Sequence, residues 1–225
     1  MKEIVFEYNG FEAIIRIPEN ANGKWIWKTE FFDAFDKAER ALMELGYTRV
    51  YYRISNRYGS VQAVRLMHAF HRHLIKEFGL RQKCILFGFS RGGLYAFNYA
   101  LFYPEYVFKI YLDAPVLDLK TWPLEDSAEQ KEMLAEYNLD KALLQSFTQN
   151  PVDNLKEFFQ NQIPLLIVAG LADEVVPFES NSLRVIRFCE KNKVPITYYL
   201  KPNCKHHPHS LEDISSIITF CENDV

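Results

Sequence analysis

The segment Gly88-Phe89-Ser90-Arg91-Gly92-Gly93 sets a serine between glycines two residues before and two residues after it. It follows a continuous apolar run and precedes an apolar helical pattern, the context in which G-x-S-x-G makes a nucleophile turn. Such a turn is so tight that flanking side chains would collide, and glycine removes them. The helix that follows aims backbone N–H groups at the reacting oxygen. Glycine is scarce, nine in 225 residues, yet three of the nine lie in this segment. The competing glycine-rich phosphate motifs are missing: there is no Gly-Lys-Ser/Thr and no G-x-G-x-x-G. Ser90 is therefore the candidate nucleophile, and the Arg91 N–H a candidate oxyanion donor.

A serine nucleophile needs a base, and the base needs an orienting carboxylate. The run Leu165-Leu166-Ile167-Val168-Ala169-Gly170 leads into Leu171-Ala172-Asp173-Glu174-Val175-Val176-Pro177. This is a buried strand with a carboxylate in the loop after it. Asp173, in Gly-x-x-Asp-x-x-Val-Pro, is preferred to Glu174 as the acid. The six histidines form two groups. His68, His71 and His73 precede the serine and read as helix-surface residues. His206, His207 and His209 follow the last strand, where the base belongs. His206 is preferred, with His207 the alternative and His209 expected to pack or cap. Ser210 with Asp213 reads as a capping box opening the final helix at Leu211. The histidine cluster shows no second ligand set with zinc spacing, so no metal and no cofactor are expected.

These groups need a scaffold. Asn9-Gly10 joins two strand-like runs, 4–8 and 11–17, as a hairpin. Trp25-Ile26-Trp27 reads as a third strand, and residues 29–45 as a helix bearing Phe31, Phe32, Phe35, Ala38, Leu42 and Leu45. Strands at 48–54, 83–89, 107–112, 165–169 and 196–200 then alternate with helices at 60–78, 94–102, 182–190 and from 211. Continuous apolar strands between helices predict an α/β fold. Its mostly parallel central sheet would carry an antiparallel N-terminal hairpin, with helices on both faces. Residues 114–163 break the rhythm, with helical pieces at 127–137, 139–147 and 155–159. They are expected to form a helical insertion or lid after the sixth strand, within a single domain of residues 1–225.

Composition narrows the function classes. Apolar residues make up 48% of the chain and charged residues 24%, with a net charge of −3. That is ample for a core and argues against disorder. Basic residues are dispersed, so no nucleic-acid partner is expected. The longest apolar stretch, 165–172, is far short of the roughly 20 residues of a membrane span, and no signal-peptide core opens the chain. Four scattered cysteines without a CxxC pair read as free thiols. A cytoplasmic protein is expected; composition leaves the oligomeric state open.

The order Ser90, Asp173, His206 resembles the α/β-hydrolase superfamily over essentially the whole chain. More narrowly, four segments resemble a bacterial group of predicted α/β-hydrolases linked to carbohydrate-ester breakdown. They are Trp25-Ile26-Trp27-Lys28-Thr29-Glu30-Phe31-Phe32, the Ser90 turn, Asp113-Ala114-Pro115 through Trp122-Pro123, and His206-His207-Pro208-His209-Ser210-Leu211. The resemblance implies cleavage of a small-molecule carboxylic ester, an acylated sugar among the candidates, through a Ser-His-Asp triad and an acyl-enzyme. Two departures stand out. Trp27-Lys28-Thr29 replaces the common His-Gly-Gly oxyanion loop, and Lys205 replaces a glycine before the base. The second oxyanion donor is expected at the Lys28 backbone. Substrate contacts are expected from Trp27, Arg57, Tyr58, Asp113, Trp122 and His207, on loops at the carboxyl ends of strands. A thioesterase or peptidase using the same triad, and a non-catalytic binding module, are the alternatives.

Overall fold

The computed structural model describes residues 1–223. Eight strands form one sheet in the order β1-β2-β4-β3-β5-β6-β7-β8. Strands β1 (Lys2–Tyr8) and β2 (Phe11–Ile17) form the antiparallel hairpin around Asn9-Gly10, and β2 pairs antiparallel with β4 (Thr48–Tyr52). The remaining pairings are parallel and bring together β3 (Trp25–Lys28), β5 (Cys84–Phe89), β6 (Val107–Asp113), β7 (Leu165–Gly170) and β8 (Thr197–Lys201). This is the predicted α/β arrangement. Every residue of β3, β5 and β7 is buried, because helices cover both faces of the sheet.

Side chains alternate across β5. Cys84 and Leu86 enter the larger core, whereas Ile85, Phe87 and Phe89 enter the smaller one. The smaller core is roofed by α1 (Lys37–Glu44) and α8 (Ser215–Glu222). The larger lies under α2 (Val61–Phe78), α3 (Gly92–Phe102) and α7 (Ser182–Asn192). Between β6 and β7 come α4 (Ala128–Tyr137), α5 (Lys141–Ser146) and α6 (Leu155–Gln160). Their residues Met133, Leu144 and Phe158 are buried in the larger core. Among the described residues no helix is long and apolar enough to cross a membrane.

Three local expectations need correcting. The helix expected over 29–45 is confined to α1, because Phe31 and Phe35 take left-handed backbone conformations. The carboxylates of that segment are tied to arginines of the sheet instead, Asp33 to Arg16 on β2 and Asp36 to the buried Arg49 on β4. The final helix begins at Ser215 rather than Leu211, and Asp213 accepts the Ser215 N–H at 2.9 Å. Ser210, expected as its cap, gives its N–H to Asp113. On α2, His71 is not a surface residue. It is fully buried, accepting a hydrogen bond from the Tyr99 hydroxyl at 2.8 Å and donating to the Gln82 carbonyl at 2.8 Å.

Candidate active site

Ser90 sits in the turn between β5 and α3 with φ = 49°, the left-handed region that non-glycine residues seldom occupy. The turn is pinned from three directions. Ser90 N–H donates to the Asp113 carbonyl at 2.9 Å, and the Ser90 carbonyl accepts the N–H groups of Gly93 and Val116 at 2.9 Å each. A Cβ at Gly92 would lie 2.8 Å from Thr29 Oγ1 and 3.2 Å from Glu30 Cβ, so only glycine lets the segment after β3 approach the turn this closely.

The acid and base loops converge on that serine. Asp173, just beyond β7, accepts the N–H groups of Val175 and Val176 on Oδ1 at 2.9 Å each. Its Oδ2 accepts the His206 Nδ1–H at 2.8 Å, which leaves Nε2 to accept the Ser90 hydroxyl at 3.0 Å. All three residues are buried, Ser90 and His206 to 7% exposure and Asp173 to 9%. Burial pushes the Asp173 carboxyl up. The His206 hydrogen bond and the two backbone amides outweigh it and hold the carboxyl below its ordinary value. The base loop reaches this position because β7 ends in Gly170. A Cβ there would fall 2.3 Å from the Cys204 carbonyl oxygen. Glu174 instead points to solvent and pairs with Lys205 at 3.1 Å.

The expected oxyanion donors divide. Among the described residues no acceptor within the protein takes the Arg91 N–H, which stands at the start of α3. Lys28, by contrast, is still inside the sheet, opposite Phe87 of β5. Its buried ammonium binds Glu39 at 2.6 Å and lies 3.3 Å above the Phe89 ring. The chain leaves the sheet only after Thr29, whose N–H still bonds Phe87. Among the described residues the next two N–H groups, of Glu30 and Phe31, have no acceptor within the protein, and the Glu30 nitrogen lies beside the turn, 3.5 Å from where a Cβ on Gly92 would stand.

Most of the expected substrate contacts are committed elsewhere. Trp27 is 1% exposed and packs in the larger core against Trp25, Phe70 and Tyr99, because its strand is buried on both faces. Tyr58 is equally buried and donates to Glu132 at 2.8 Å. Arg57 pairs with Glu136 at 2.8 Å, and Ser60 donates to the same carboxylate at 2.6 Å. These residues thus fasten α4 to the loop before α2. Trp122 packs beside Tyr58. Asp113 is 1% exposed beneath the base loop, where its two oxygens accept His209 Nδ1–H, the Ser210 N–H and the Tyr111 hydroxyl at 2.7 Å each. His207 is exposed and stacks on Phe35. Partial burial, with His209 and His206 as neighbours, holds its imidazole below the usual value.

Sequence reasoning gave no role to Glu30 and Phe31, which border the turn at Gly92 and Arg91, or to Phe35, which packs on the base loop at His207 and His209. Glu30 is 1% exposed and accepts from Ser55 at 3.1 Å and from the Arg91 side chain at 3.3 Å. Burial raises its carboxyl above the ordinary range, against the pull of Arg91. The Arg91 guanidinium lies over Phe31, and Phe31 and Phe35 are each 39% exposed. No sequence signal singled out Glu30, and the two phenylalanines were absorbed into a helical pattern.

The fold recurs among solved structures of low sequence identity. A puromycin-hydrolyzing peptidase from Mycobacterium tuberculosis superposes with a TM-score of 0.71 at 13% identity, over 96% of this chain and 37% of that one. An acylaminoacyl peptidase from Pyrococcus horikoshii gives 0.65 at 15% identity, over 91% and 37%. A carboxylesterase from Lactobacillus plantarum gives 0.65 at 18% identity, over 92% and 85%. The chain thus spans little more than a third of the length of those two peptidases. No curated protein sequence matches it significantly. The sequence profile of the prolyl oligopeptidase family, however, matches residues 45–223, which hold the serine turn and both converging loops. The chain belongs to the prolyl oligopeptidase family, serine hydrolases of the α/β-hydrolase fold.

Proposed function

We propose that this protein hydrolyses a small-molecule carboxylic ester through Ser90, His206 and Asp173. The observation that carries the reading is the continuous chain from Asp173 through His206 to Ser90, at 2.8 and 3.0 Å, on a strained serine turn. His206 Nε2 takes the Ser90 proton as Oγ attacks the ester carbonyl. Asp173 holds the tautomer and stabilises the imidazolium. The developing oxyanion is met by the Arg91 N–H, with a second donor from the Glu30–Phe31 backbone in place of Lys28. Loss of one such donor typically costs about 3–4 kcal/mol of transition-state stabilisation. His206 then returns its proton to the leaving alcohol. A water activated by the same imidazole cleaves the acyl-enzyme.

The likeness to the carboxylesterase over 85% of that chain supports an ester as substrate. The exposed rings of Phe31 and Phe35 offer flat apolar faces to an acyl chain or a sugar ring, so acylated sugars are the first esters to test. Family membership and the peptidase neighbours favour a second reading, cleavage of an aminoacyl amide by the same groups. A panel of acetylated sugars and aryl esters, run beside aminoacyl amides, separates the two. Ester turnover that vanishes in Ser90→Ala is expected; turnover of amides alone overturns the ester assignment.

A further inference from the structure

We propose that His206, His207 and His209 form a binding site for a divalent transition-metal ion of the zinc class, and that its occupancy withholds the base from Ser90. One ring nitrogen of each histidine lies within 4.8 Å of the other two. Two of the three rings are already oriented as metal-ligating histidines are. Asp173 takes the Nδ1–H of His206 and Asp113 takes the Nδ1–H of His209, at 2.8 and 2.7 Å. A carboxylate on Nδ1 fixes the tautomer that carries its lone pair on Nε2 and makes that nitrogen more basic.

The third ring supplies the freedom to close. His207 is exposed, and among the described residues its ring nitrogens have no protein partner; it leans on Phe35 with the rings 5.4 Å apart. Two nitrogens bound to one zinc stand about 3.4 Å apart, given bonds of roughly 2.0–2.1 Å. No pair of the three nitrogens therefore has more than about 1.4 Å to close, and the unpartnered His207 ring is free to rotate toward the other two. Three imidazoles with an open fourth position suit zinc, copper or nickel far better than magnesium or calcium. The ion takes the Nε2 lone pair that otherwise accepts the Ser90 hydroxyl proton, so metal and nucleophile compete for one atom.

Zinc chloride titrated by calorimetry into the untagged, metal-stripped full chain tests the site. One ion per chain is expected, and at least tenfold weaker binding by His207→Ala, an exposed position whose fold is checked by thermal unfolding. Ser90→Ala should bind at least as tightly as the wild type, since the competing hydroxyl is gone. Bound zinc should also slow fluorophosphonate labelling of Ser90 in proportion to occupancy. No saturable binding, binding unchanged by His207→Ala, or labelling indifferent to bound zinc overturns the proposal. The inhibitory part rests on the hydrolase reading, whereas the binding part does not. A chain that binds zinc in this manner but never labels when metal-free would overturn the hydrolase reading and leave the metal site standing.

Discussion

Ser90 and Asp113 are joined through the main chain: the Ser90 N–H donates to the Asp113 carbonyl at 2.9 Å. The carboxylate of the same Asp113 accepts three donors, two of them from the base loop at His209 and Ser210. One residue at the end of β6 thus fixes both the serine turn and the loop that carries its base. Asp113 touches neither the Ser90 hydroxyl nor His206, so its effect on chemistry is positional.

Asp113→Asn places an amide NH2 where three donors converge, leaving at least one buried donor without an acceptor. The expected loss of stability is about 2–3 kcal/mol. Displacement of the base loop should slow fluorophosphonate labelling of Ser90 on the order of 10- to 100-fold. Thermal unfolding and labelling rates, measured on one preparation, check both.

Asp173→Asn should act differently. It keeps the loop geometry but can no longer hold the His206 Nδ1–H against a carboxylate. The expected loss in labelling rate is on the order of 10⁴-fold, with the unfolding temperature little changed. A loss of labelling that merely tracks unfolding would contradict this role.

Helix α4 is fastened at Glu132 and Glu136, one helical turn apart, by Tyr58, Arg57 and Ser60. Glu136→Gln exchanges a charged acceptor for a neutral one and should weaken the attachment by about 1–2 kcal/mol. Hydrogen exchange should rise over 128–137 while β5 stays protected. Uniform protection in both would contradict the tether.

Burial holds the His71 imidazole down at about 4, although its bond to the Gln82 carbonyl favours the charged form. The unfolded chain takes up this proton near pH 6.5, and the folded chain does not until about pH 4. Stability from His71 is therefore complete above about pH 6.5 and lost progressively as pH falls toward 4, by about 3 kcal/mol in all. Replacement by glutamine, which does not titrate, should lower stability at neutral pH yet flatten this acid limb in denaturant titrations.

The positions of Ser90, Asp173 and His206 were legible because glycine spacing and chain order are carried by sequence alone. Facing was not. In β3 every side chain is buried, so alternation cannot tell that Trp27 turns into the core while Lys28 turns toward Glu39. His71 did carry a signal, since it shares the helical spacing of Met67, Phe70 and Leu74, all buried on α2. The Asp113–His209 pair joins residues 96 apart in the chain, and only the strand order brings them together. Phe31 and Phe35 sit at helical spacing, yet their left-handed backbone breaks the helix that spacing suggests.

The central claim is that Ser90 is an activated nucleophile. Intact-mass spectrometry after fluorophosphonate treatment of the metal-stripped wild type and of Ser90→Ala tests it most directly. One covalent adduct on the wild type and none on the variant is the predicted result. A folded wild type that takes no adduct, or an adduct that persists in Ser90→Ala, would contradict it.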